Sequence, residues 1–144
     1  MDVRQIVERI VKQYRTRSPH ELADRMGIIV SKCELGSIRG YYLKKYRIKQ
    51  IILNCNLEEM EEQFVLAHEI GHSVMHENLN TPFLRESTYF SKNKFEVEAN
   101  RFAAELLIPD NIIFEHPGFT VKQLSRLTGY EEKILLLKCK INSL

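Results

Sequence analysis

The chain has 144 residues, of which 44 % are hydrophobic and 28 % charged, with a formal net charge of +2. That is the size and composition of one globular domain and excludes a disordered or low-complexity chain, while so small a charge excess argues against a nucleic-acid binder. No apolar run approaches the roughly 18 residues needed to span a bilayer, and the polar start Met1-Asp2-Val3-Arg4-Gln5 leads into no apolar leader, so a cytoplasmic protein without a membrane contact is expected.

Ile6, Val7, Ile10, Val11 and Tyr14 recur at helical spacing and predict a first amphipathic helix. Ser18-Pro19-His20-Glu21 reads as the start of a short second helix, with Ser18 as cap, Pro19 in the first turn and Glu21 completing a capping box; Gly27 ends it. Ile28–Val30, Ser37–Leu43 and Gln50–Leu53 read as three short strands, the last two a hairpin turning near Lys45-Tyr46-Arg47. Arg39, Lys44, Lys45, Arg47 and Lys49 make that hairpin basic, as expected for a solvated sheet edge, with a partner-binding strip as the alternative.

Asn56 can cap a long helix that reaches about His76, with Glu58, Glu59, Glu61 and Glu62 at the positive end of its dipole. Residues 77–92 read as a long surface loop, of a length uncommon inside compact domains and often functional. A second long helix runs from about Lys94 to Leu107 and is ended by Pro109; Thr120 to Ile141 reads as two short helices broken at Gly129. Cys33, Cys55 and Cys139 are odd in number and widely spaced, which supports neither a disulfide framework nor a cysteine zinc site; three reduced, partly buried thiols are expected.

The chemistry concentrates in His68-Glu69-Ile70-Gly71-His72. Histidines four apart share one helix face and can hold one tetrahedral metal ion, while Glu69, rotated about 100°, can reach a water held on it. Leu57, Met60, Phe64, His68, His72 and Met75 fall on one stripe, so the histidines point inward, where imidazoles without a partner would be costly. Gly71 costs a mid-helix position roughly 1 kcal/mol and calls for a packing reason. His76, one turn on, is expected at the rim or behind the ligands. In the second long helix, Glu96 lies on the stripe of Ala99, Ala103, Leu106 and Leu107, and Glu98 nearer the outer face with Arg101 and Glu105. Glu96 is therefore the expected third ligand, with Glu98 as the alternative, and Asn100 is placed to hydrogen-bond a ligand.

Phe64 to His72, followed by Glu96-x-Glu98-Ala99-Asn100-x-Phe102-Ala103-Ala104-x-Leu106-Leu107-x-Pro109, resembles the ImmA/IrrE family of zinc metallopeptidases, in its phage or mobile-element type. Gly40-Tyr41-Tyr42 and Ile51–Asn54 are similar to the same family's strand segment, and the likeness runs from about Glu21 to Asp110. It implies an α+β fold: a compact zincin-like metalloprotease core in one domain over residues 1–144, with a small antiparallel sheet on the His-Glu-x-x-His helix, a second ligand-bearing helix and a helical C-terminus. It also implies one zinc ion per chain held by His68, His72 and Glu96, Glu69 as catalyst, and a helix-turn-helix repressor as the protein substrate.

Tyr42, Tyr89 and His116 are candidate donors to an oxyanion, and residues 77–92 a candidate gate. An extended substrate is expected along an edge strand at Ile48–Asn54. Two other readings remain. One is a non-hydrolytic anti-repressor binding module with a structural zinc. The other is a DNA-binding regulator, for which Ser18–Gly27 and Thr120–Lys138 offer only incomplete helix-turn-helix fragments.

Overall fold

The computed structural model describes residues 2–79, 82–84 and 93–142. In chain order they form α1 (Val3–Tyr14), α2 (Pro19–Arg25), β1 (Ile29–Cys33), β2 (Ile38–Lys45), β3 (Ile48–Asn54), α3 (Glu59–Met75), β4 (Pro82–Leu84), α4 (Lys94–Leu107), α5 (Asp110–Phe114), α6 (Val121–Thr128) and α7 (Glu132–Asn142). The α+β class stands. Among the described residues no helix is long and apolar enough to cross a membrane.

The expected antiparallel sheet is in fact mixed, with order β1-β3-β2-β4. β2 and β3 form the expected hairpin, but β1 pairs β3 in parallel, Val30 opposite Ile51. The connection after β1 steps across the end of β3's place, and the hairpin then inserts β3 between its two predecessors. Asn54 pins that crossing: its Nδ2 donates to the carbonyls of Gly36 at 3.1 Å and Ile38 at 3.0 Å. Ile48–Asn54 is thus an inner strand, paired on both sides, and cannot take a substrate strand. Part of the expected 77–92 loop is also strand, since β4 pairs with β2; the rest of that candidate gate lies mostly outside the described residues.

The basic hairpin is correspondingly not a solvated edge. Arg39 reaches Glu61 at 3.3 Å, Lys44 pairs with Glu77, and Lys49 donates to the Ser73 carbonyl at 2.7 Å, so three of its five cations are tied to α3 or to the residues just after it. Cys33 and Cys55 are exposed rather than partly buried, and Cys139 is half-buried.

α3 lies against β2, β3 and α2 on one side and α4 on the other. Ten consecutive residues, Phe64 to Ser73, are therefore buried, which is a helix covered all round rather than one apolar stripe. Its N-cap is Glu58, without a side-chain cap bond; Asn56 instead donates to Glu34 at 2.6 Å. Only half of the capping box at α2 forms, because Glu21 takes the Thr16 hydroxyl at 2.7 Å. α1 and α7 pack on α4. The pair α6–α7 turns at Gly129, φ +83°, but α7 buries Ile134, Leu135 and Lys138 and is occupied by the core rather than free to read DNA.

Candidate metal centre

The two histidines of α3 sit one turn apart and face α4, where Asn93 caps the first turn and brings Glu96 and Asn100, also one turn apart, over them. His68 is fully buried, His72 1 % exposed and Glu96 6 % exposed. The Nε2 atoms of the two rings lie 3.1 Å apart. The Glu96 carboxylate spans both: Oε1 is 2.8 Å from His72 Nε2 and Oε2 is 3.1 Å from His68 Nε2.

The far side of each ring fixes its proton. His68 Nδ1 lies 2.8 Å from Asn100 Oδ1, an acceptor, so Nδ1 carries a hydrogen and Nε2 is the nitrogen available to a metal. His72 Nδ1 lies 2.9 Å from His76 Nδ1, and His76 Nε2 lies 3.1 Å from Glu98 Oε1. Burial, reinforced by the neighbouring His68, holds His72 towards its neutral form against the pull of Glu96. Burial would raise the Glu96 carboxyl, but the two imidazoles outweigh it and bring it down to about 2. Two imidazole nitrogens and an ionised carboxylate thus converge, and once a cation displaces the protons the imidazoles share with Glu96, all three are electron-pair donors. Such a set suits a divalent cation of borderline softness and is ill-matched to empty apolar surroundings.

Glu69 is completely buried, and neither carboxylate oxygen has a hydrogen-bond partner among the described residues. Its ligand atom falls with those of His68 and His72 in a group whose members all lie within 4.8 Å of one another. Burial first, then the Glu96 charge, pushes its pKa well above the ordinary carboxylate value. A carboxyl so placed is suited to accept a proton and return it.

The other expected residues divide. Asn100 is on His68 as the helix spacing anticipates. Glu98 turns away from the paired Nε2 atoms and onto His76. His76 is not at an open rim: it is 6 % exposed and closed off by the Phe95 ring at 4.8 Å. Tyr42 is buried with its hydroxyl donating to the Glu77 carbonyl at 2.7 Å, so its one proton is committed to ordering the chain after α3. His116 donates from Nδ1 to the Ile112 carbonyl at 2.8 Å and rests on Phe119, at the α5 end of the molecule. Tyr89 lies outside the described residues. Glu105, expected on the outer face of α4, is fully buried against Lys138 of α7 at 2.6 Å, a partner that helix periodicity alone does not reveal.

Comparison with known proteins gives a family and two relatives. The model of the IrrE N-terminal-like domain, a peptidase family, matches residues 23–133. A Bacillus phage phi105 protein named "Uncharacterized immunity region protein 2" is 40 % identical over 139 residues, which is 94 % of this chain and 88 % of that one. "Metallopeptidase ImmA" of Bacillus subtilis (strain 168) is 30 % identical over 123 residues, 83 % of this chain and 73 % of the relative.

Proposed function

The chain belongs to the ImmA/IrrE family of metallopeptidases, and from that premise we propose that it is a zinc-dependent endopeptidase that cleaves and so inactivates a helix-turn-helix repressor in the cytoplasm. The names of its relatives, one from a phage immunity region and one a metallopeptidase, support a protein substrate with a part in phage immunity. The observation that carries the hydrolytic reading is Glu69: a buried carboxyl group with neither oxygen bonded among the described residues, beside two histidine nitrogens that Glu96 also meets.

In this reading His68, His72 and Glu96 hold one zinc ion. Bound there, zinc would supply the Lewis acidity that makes water a nucleophile near neutral pH and polarises a peptide carbonyl. Asn100 keeps the His68 ring in the tautomer that leaves Nε2 free. Glu69 takes a proton from the attacking water at one carboxylate oxygen, holds it, and passes it to the leaving amine. A purely structural site needs no such base and is usually closed by four ligands.

The test is to incubate the repressor encoded nearest to this gene with the wild type and with Glu69→Gln, after measuring zinc in each. Cleavage by the wild type alone, with zinc retained in both, supports the protease. Equal repressor inactivation by both proteins would replace it with the non-hydrolytic binding module.

A further inference from the structure

Behind His72 stands a second pair of side chains that the reaction as described does not use. His76, one turn along α3, places Nδ1 2.9 Å from His72 Nδ1, and its Nε2 lies 3.1 Å from Glu98 Oε1 on α4. Both bonds are screened from water: His76 is 6 % exposed and the Glu98 side chain 14 %.

The proton positions in this chain follow from one end. A carboxylate only accepts, so the nitrogen of His76 that faces Glu98 carries a hydrogen. A neutral His76 then has its lone pair at Nδ1. The hydrogen between the two rings must therefore sit on His72 Nδ1, and His72 Nε2 is left bare, towards Glu96 and His68. Were the order reversed, with His76 donating to His72, the neutral His72 ring would carry its hydrogen on Nε2 and could not bind a metal there. His68 receives the same instruction from a single residue, Asn100. Among the described residues His72 has no such neighbour of its own; its instruction comes from the same helix in two steps. α4 thus supplies Glu96 to the site and, through Glu98 and Asn100, sets the tautomer of both histidines that face it.

We propose that Glu98 and His76 are a positioning pair that fixes the tautomer and direction of His72 and so tunes metal affinity. The proposal rests on the assignment of His68, His72 and Glu96 as ligands. Neither Glu98 nor His76 touches the reacting atoms. Loss of a partner behind a metal-binding histidine typically weakens metal binding by about 10–100-fold.

The test uses zinc competition with a chromophoric chelator and the visible spectrum of the cobalt(II)-loaded protein, on the full chain. His76→Phe removes the acceptor while keeping an aromatic ring; Glu98→Ala removes the terminal acceptor from a site near the surface; Glu98→Gln keeps an oxygen there without the charge. Urea unfolding of the metal-free forms verifies that each folds. Expected are zinc dissociation constants raised about 10–100-fold in His76→Phe and Glu98→Ala, cobalt bands shifted from wild type, and recovery of most of the affinity in Glu98→Gln. Wild-type zinc affinity and a superimposable cobalt spectrum in either of the first two would overturn the pair. His68→Ala separates this from the parent assignment. If it keeps full zinc, the ligand set itself is wrong; if it loses zinc while His76→Phe and Glu98→Ala bind normally, only the positioning role falls.

Discussion

Gly71 of α3 faces Phe102 of α4 so closely that a Cβ built on the glycine would stand 3.0 Å from both Cβ and Cγ of the phenylalanine. Phe102 is itself fully buried and has no room to yield. This is the packing reason for a mid-helix glycine one residue before His72. It also sets the separation of the two helices that carry the histidine pair and Glu96. Gly71→Ala should gain about 1 kcal/mol in helix propensity yet lose a net 1–3 kcal/mol, roughly, to overpacking. Urea unfolding measures the loss, and a zinc titration should show weaker binding as α4 is pushed off α3. An alanine variant more stable than wild type by the full propensity gain would mean that the helices can part without cost.

Metal should stabilise the fold through the same two helices. At a free zinc concentration about 100 times the dissociation constant, linkage gives about 2.7 kcal/mol. Thermal unfolding should rise with zinc in the wild type and return to the metal-free value with a chelator. His68→Ala and Glu96→Ala should show no such rise. A full zinc response in Glu96→Ala would remove that residue from the ligand set.

Lys138 is fully buried, 2.6 Å from the equally buried Glu105 and also bonded to Asp110. Lys138→Ala should cost about 3–5 kcal/mol, because it leaves a carboxylate in the core without its cation. Replacing both members, Lys138→Met with Glu105→Leu, should recover most of that loss. Denaturant midpoints compare the three proteins.

Glu62 gives the acid side of the stability curve. Burial would raise its pKa, but hydrogen bonds from Lys32 and His20 outweigh burial and hold it below the ordinary 4.5. A carboxyl lowered on folding contributes stability that is complete above its unfolded value and disappears as the pH falls through the folded one. Glu62→Gln should therefore be less stable than wild type at neutral pH and lose less on acidification. Urea midpoints taken from neutral pH down to about pH 3 should converge.

The β2–β3 turn holds two bulky residues in the left-handed region, Tyr46 at φ +52° and Arg47 at φ +67°. Such a turn favours Asn-Gly. The double replacement Tyr46→Asn, Arg47→Gly should stabilise by about 1–2 kcal/mol, read as a raised unfolding midpoint.

Features set by nearby residues were legible in the sequence. Lys94–Leu107 was bounded correctly because Asn93 caps it and Pro109 follows. The gathering of His68, Glu69, His72 and Glu96 was legible because two helical spacings, 68–72 and 96–100, each define a face. What escaped was set by distant partners. The alternation that marks a strand does not say which strand lies beside it, so β1 beside β3 could not be read from pattern. Glu105 looked exposed because Lys138, which neutralises it, is 33 residues away. Glu98 reads as an alternative ligand in the sequence because its partner, His76, stands on another helix and helix spacing does not reveal it.

The Lys138–Glu105 contact also bears on where this protein can be shortened. The family likeness covers residues 23–133, and every residue of the proposed site falls inside it. The folding unit is wider. Val3, Val7 and Ile10 of α1 are buried before that stretch begins, and Lys138 enters the core five residues after it ends. Glu105 is nine residues from Glu96 on the same helix, about 13 Å along its axis. A fragment trimmed to the matched region would keep the whole site in its sequence and yet leave the helix that carries Glu96 anchored at neither flank.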